Sequence, residues 1–152
     1  MTIRVLVADD QAMIRGALAG LLDLERDIEV VAQAADGAQA LEELGRLAES
    51  SGPTRTNAPA DVAIIDIEMP RMDGITATQA IRARFPGVQV LIVTTFGRPG
   101  YLQRALDAGA TGFMVKDAPV ETLADGVRTV AAGGRAIDQS LALEALSAGS
   151  SP

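Results

Sequence analysis

The chain contains no cysteine and no histidine among its 152 residues. The first absence excludes disulfides and thiolate chemistry. The second removes Ser-His and Cys-His nucleophiles, His-ligated zinc and phosphohistidine relays. There is no tryptophan, and aromatics make up 3%, so the core must be built from Leu, Ile, Val and Ala. No apolar run approaches transmembrane length, and the N-terminus lacks a signal-peptide pattern. A cytoplasmic location is the expectation. Basic residues are few: 13 Lys and Arg against 20 Asp and Glu give a net charge of −7. That balance argues against gripping nucleic acid through its phosphates and suits a domain that binds cations. Any catalysis must therefore use Asp, Glu, Lys, Thr or a metal ion.

What is present is a regular alternation. Ile3 to Ala8, Ile28 to Ala34, Val62 to Ile65, Val88 to Val93 and Gly112 to Val115 read as short apolar strands. Helical spacing comes after each one. The first helix puts Met13, Ala17, Leu21 and Leu24 on one face, and the second spaces Ala38, Leu41, Leu44 and Leu47. The third runs from about Gly74 to Arg84, and a short fourth from Tyr101 to Ala108, closed by Gly109. Pro119 opens the fifth, whose stripe is Val120, Leu123, Val127 and Val130. Glu49 to Asp61 reads as a surface loop, and Leu141 to Leu146 as one short helical patch in the tail. Five strands alternating with five helices imply a parallel sheet covered on both faces. The class is α/β, doubly wound.

In such sheets ligands sit outside the carboxyl ends of the strands, and the polar residues fall there. Asp9 and Asp10 end the first strand, Asp66 the third, Thr94 and Thr95 the fourth, Lys116 the fifth. Singly, each has a plain explanation. Asp10 can be an N-cap, Asp66 a turn carboxylate, Thr94 a β-branched strand residue and Lys116 a surface lysine. Jointly they crowd three carboxylates at one sheet edge. Such a cluster calls for a divalent cation, or for protonation of some of its members. Oxygen ligands with room for water suit Mg2+. A cation held there would draw in a phosphoryl group, and an Asp can accept one as an acyl phosphate.

The set Asp9-Asp10, Asp66 with Met69-Pro70-Met72-Asp73-Gly74, Thr94 and Lys116 resembles the receiver domain of bacterial two-component response regulators. The resemblance covers about residues 3 to 133. It implies a flavodoxin-like five-stranded parallel sheet in the order 2-1-3-4-5, a receiver as residues 1–133, and a linker, 134–152, leading towards a helix-turn-helix output domain that is absent from this chain. It also implies roles. Asp66 is the phosphoacceptor, taking a phosphoryl group from a sensor histidine kinase. Asp10 and Asp66 ligate Mg2+, Asp9 acts mainly through water, and Glu68 offers its backbone carbonyl. Thr94 is the switch hydroxyl and Phe113 the switch aromatic. Thr95 controls access to the acyl phosphate, and Lys116 binds the phosphoryl oxygens. Lys116-Asp117, in place of the Lys-Pro of many receivers, is similar to the NarL/LuxR class of transcription factors, and the stretch from Thr94 to Tyr101 to its DesR-like members. Phosphorylation is then expected to switch conformation and promote a homodimer that controls DNA binding through the output domain, with no membrane contact.

Other readings compete. A stand-alone receiver acting as an adaptor would differ only in having no output domain after Pro152. A haloacid-dehalogenase-like phosphatase also uses an Asp nucleophile and Mg2+. That family has Asp-x-Asp at the nucleophile strand and a cap domain, whereas Asp66 is succeeded by Ile67-Glu68. A flavodoxin-like electron carrier needs a Ser/Thr-rich phosphate loop after the first strand, which is missing.

Overall fold

The computed structural model describes residues 2–51, 59–94, 100–116 and 118–137. Strands β1 (Ile3–Ala8), β2 (Ile28–Ala34), β3 (Val62–Asp66), β4 (Gln89–Thr94) and β5 (Gly112–Val115) alternate with helices α1 (Ala12–Asp23), α2 (Gly37–Ser51), α3 (Gly74–Arg84), α4 (Tyr101–Ala108) and α5 (Val120–Ala131). A two-residue strand, β6 (Ala136–Ile137), comes last. All pairings are parallel, in the order β2-β1-β3-β4-β5-β6.

Side chains alternate across the sheet with period two. Leu6, Ala63, Ile65, Val90, Ile92 and Phe113 face one layer, with Leu41 and Leu44 of α2, Ile81 of α3 and Leu102 of α4. Val5, Val7, Val62, Ile64, Leu91, Val93 and Met114 face the other, with Leu18 and Leu22 of α1 and Leu123, Val127 and Val130 of α5. Every residue of β3 is buried. Its unbroken apolar run is what a central strand covered on both faces requires.

Three expectations are corrected or extended. The sheet has a sixth strand, since β5 pairs on with Ala136 and Ile137; two residues carry too little periodicity to be read as a strand. The Glu49–Asp61 loop is shorter than the sequence suggests. Glu49 to Ser51 belong to α2 and Ala60 is fully buried, while residues 52–58 lie outside the described residues. Asp61 ties the start of β3 to β1, its carboxylate accepting from the Arg4 amide at 2.8 Å. On α1, Met13, Ala17, Leu21 and Leu24 do share a face, but that face meets solvent: Met13 is 89% and Leu24 77% exposed. Leu18, Ala19 and Leu22 make the core contact instead, because apolar residues line both sides of this helix and periodicity alone cannot rank them. The tail patch Leu141–Leu146 lies outside the described residues.

Register aligns the strand ends. Ala8 pairs with Ile65, Asp66 with Val93, and Thr94 with Val115, so the residues just after β1, β3, β4 and β5 share one edge.

Candidate functional site

Asp9 comes directly after the last residue of β1 and is wholly buried, whereas Asp10 is exposed. One Asp9 carboxylate oxygen, Oδ1, accepts from the Gln11 amide at 2.9 Å. That bond fixes the carboxylate towards the sheet edge. Asp66 is the last residue of β3 and is 6% exposed. Behind it, Gly74 begins α3, and its amide donates to the Ile67 carbonyl at 2.8 Å. A Cβ at Gly74 would stand 2.3 Å from the Asp66 carbonyl, so only glycine lets the helix start this close to the strand end. Asp73 caps the helix by accepting from the Thr76 amide at 2.8 Å.

One carboxylate oxygen from each of Asp9, Asp10 and Asp66 lies within 4.8 Å of the others. Lys116 reaches into this group. Its Nζ is 2.8 Å from Asp9 Oδ2 and 3.1 Å from Asp66 Oδ2, and 3.3 Å from the Gln11 side-chain oxygen. The contact with Asp9 is close but poorly directed: Oδ2 is buried and has no hydrogen-bond donor aimed at it. Lys116 is thus the cation that balances the cluster without satisfying all of its oxygens. Burial raises the Asp66 carboxyl above its ordinary range; Lys116 opposes this, and repulsion from Asp9 and Asp10 adds to it. Burial works to lower the Lys116 ammonium, but the facing carboxylates of Asp9 and Asp66 outweigh that and raise it.

An open cavity of about 690 Å3 covers the cluster. Asp10, Asp66, Glu68, Thr94 and Lys116 line it, together with Gln11, Tyr101 and Arg104. Thr94 ends β4 and is 6% exposed. Its carbonyl accepts from the Lys116 amide at 2.7 Å, which couples the β4 and β5 ends. Phe113, on β5, is 1% exposed and packs in the same core as Leu102 and Ala105 of α4. Thr95 lies outside the described residues.

A buried carboxylate oxygen that has an ion pair but no directed hydrogen bond, beside two more carboxylates, is what a hard divalent cation would complete. The donor set is all oxygen and opens to solvent, so it fits Mg2+. The model for the response regulator receiver domain matches residues 5–128. This chain belongs to the receiver domain family. Receiver domains are signalling phosphoacceptors that use Mg2+ at an acidic pocket, and their phosphoryl source is a histidine kinase. The receiver is 40% identical over 139 residues to an uncharacterized transcriptional regulatory protein, YvfU, of Bacillus subtilis (strain 168), covering 91% of this chain and 64% of that protein. It is 40% identical over 133 residues to the transcriptional regulatory protein DesR of the same organism, covering 88% and 60%. The chain therefore spans less than two thirds of the length of these relatives. Among solved structures it is similar to a LuxR-family two-component response regulator from Aurantimonas sp. SI85-9A1, with a TM-score of 0.82, 26% identity and 97% of each chain covered. These likenesses identify it as a receiver of the NarL/LuxR type.

The structure adds Gln11, Tyr101 and Arg104 to the residues that the sequence points to. Tyr101 and Arg104 stack on one another, the guanidinium 5.5 Å from the ring centroid. Their i, i+3 spacing on a helix after Thr94 was the available signal. The structure also pairs Asp36 with Arg71, for which the sequence carries no local signal beyond a turn.

Proposed function

We propose that this receiver is the phosphorylation switch of a transcriptional regulator, with Asp66 as its phosphoacceptor. The observation that carries the reading is the meeting of Asp66, Asp9 and Lys116 within ion-pair distance beneath an open cavity that Thr94 also lines. An Asp66 oxygen attacks the phosphorus of a kinase phosphohistidine. The O–P bond forms as the P–N bond breaks, and the imidazole leaves with the electron pair and takes up a proton. Asp10 and Asp66 would hold Mg2+ by side chain, Asp9 through water and Glu68 through its backbone carbonyl. When bound, the ion supplies neutralisation of the phosphoryl oxygens. Lys116 then gives up its carboxylate partners for a phosphoryl oxygen, and the Thr94 hydroxyl donates to another. Thr95 sets access to the product.

The new group adds nearly two negative charges and three acceptor oxygens. Meeting them draws the β4 and β5 ends inward, so Phe113 repacks and the α4 surface changes. The output is a homodimer. Of the two surfaces that the family resemblance offers, α1 with α5 or α4 with β5, the first is favoured by the solvent-facing Met13, Leu21 and Leu24, interleaved with exposed Gly16, Ala17 and Gly20. Two-fold pairing is the common solution for such a self-complementary face. The receiver unit, 1–133 by its sequence, carries β6 (Ala136–Ile137) at its sheet edge, and the residues that follow lead towards a DNA-binding domain. The setting is cytoplasmic; no described helix is long and apolar enough to cross a membrane.

Incubation with acetyl phosphate and Mg2+, read by intact mass, tests the reading. One phosphoryl adduct is expected, absent from Asp66→Asn. An adduct that persists at another residue in that variant overturns the assignment.

A further inference from the structure

The loop between β3 and α3 holds a strained turn. Arg71 has φ +66°, the one positive φ at a non-glycine among the described residues. The Met72 amide donates across it to the Pro70 carbonyl at 2.7 Å. An i to i+2 bond spanning a positive φ is the rarer, strained form of γ-turn. Such a conformation persists only where its surroundings impose it.

Here the surroundings are the start of α2. Asp36, 1% exposed, is charged and fully engaged. One oxygen accepts from the Gln39 amide at 2.8 Å and so caps α2. The other accepts from Arg71 Nε at 2.9 Å and from Arg71 Nη2. The Gln39 amide and then Arg71 hold this carboxyl below its ordinary range. The Arg71 side chain is 75% exposed, so it is not there to fill a core. A second tie backs the first: the Gly37 amide donates to the Met72 carbonyl at 3.3 Å. A Cβ at Gly37 would lie 2.9 Å from that same oxygen, so the turn is pressed directly onto the helix. Upstream, Glu68, Met69 and Pro70 line the cavity, and Pro70 fixes its own φ. The placement of Arg71 is thereby passed to Glu68 through the two residues between them, one of them a proline of fixed φ.

We infer that Asp36 and Arg71 are positioning residues: their ion pair holds the strained turn that sets the Glu68 backbone at the rim of the acidic pocket, and so preorganises Mg2+ binding. The inference rests on the metal reading of the proposed function. Neither residue touches the reacting atoms. Their effect is that of groups behind a metal's own ligands, whose loss weakens binding while the ligands remain.

Titration calorimetry with MgCl2 on residues 1–152 tests it, beside amide hydrogen exchange of the metal-free protein. Asp36→Asn keeps a good N-cap and loses the charge. Arg71→Gly accepts the positive φ and loses the tether. Both should weaken Mg2+ binding by about tenfold, the double variant no further than either, and Met72 amide exchange should accelerate in Asp36→Asn. A purely structural role for the cap would lower the melting temperature and leave the Mg2+ affinity alone. Affinity within about twofold of the parent in both variants overturns the inference, whatever the exchange result. A parent that binds no Mg2+, or an Asp10→Ala control that binds as the parent does, overturns the metal reading and the inference with it.

Discussion

Replacing Lys116 by Met removes the one ammonium inside the acidic pocket while keeping most of its apolar stem. Its Nζ lies 2.8 Å from Asp9 and 3.1 Å from Asp66, and the side chains of Lys116, Asp9 and Asp66 are 6%, 1% and 9% exposed. At an effective dielectric constant of about 20, these contacts correspond to gross attractions of about 6 and about 5 kcal/mol. Desolvation of all three groups and repulsion between the carboxylates offset most of that sum. The measurable quantity is the cost of orphaning two buried acids, about 3–5 kcal/mol. In a chain of this size it should lower the melting temperature by roughly 6–20 °C. Mg2+ should restore much of the loss. In the parent, saturation to about 100 times Kd stabilises by about 2.7 kcal/mol. In Lys116→Met the same concentration should stabilise more, because no ammonium competes for the oxygens. The deficit should also depend on pH. Burial already raises the Asp66 carboxyl, and losing Lys116 raises it further. A carboxyl raised in the folded state costs stability as pH rises through its folded pKa. The deficit should therefore be full at neutral pH and shrink at acid pH as the orphan takes up a proton. Urea unfolding in EDTA and in excess Mg2+, at both pH values, measures all three effects. A loss below about 1 kcal/mol, or equal Mg2+ stabilisation of parent and variant, would refute Lys116 as the pocket's counter-ion.

Asp10→Ala removes an exposed like charge; it should leave the metal-free protein as stable or up to about 1 kcal/mol more stable, yet weaken Mg2+ binding at least about tenfold, near 1.4 kcal/mol, by calorimetry. Thr94→Ala should gain the phosphoryl mass but show little of the parent's amide shift changes with beryllofluoride, because in the proposed switch the hydroxyl links the new charge to β4; parent-like changes would remove Thr94 from the switch. Leu24→Glu, on a side chain that is 77% exposed, should cost under about 0.5 kcal/mol while keeping the beryllofluoride-treated receiver monomeric in sedimentation; a dimer as strong as the parent's would move the interface away from α1. Above the ordinary lysine value of 10.5, the parent should lose the stability contributed by Lys116 as pH rises through its raised pKa, a loss that Lys116→Met would not show.

Strong periodic signals belonged to the sequence alone. The unbroken Val62–Ile65 run, the alternation of strands with helices and the acids at strand ends determined an α/β sheet with an acidic edge, because burial on both faces and the parallel crossover leave few other arrangements. The Gly109 stop and the α4 span Tyr101–Ala108 are likewise where local spacing puts them. Tertiary structure decided what local pattern leaves degenerate. Both sides of α1 are apolar, and only packing on the sheet selected Leu18, Ala19 and Leu22 over Met13, Leu21 and Leu24. Ala136 and Ile137 became a strand because the free edge of β5 offered hydrogen bonds, not because two residues prefer one. Lys116 meets Asp9 from 107 positions away, and Arg71 meets Asp36 across 35. Strand-end position brings Asp9 and Lys116 to one sheet edge in the sequence alone, but no spacing rule makes the contact itself: which charged side chains meet is fixed by how the strands stack.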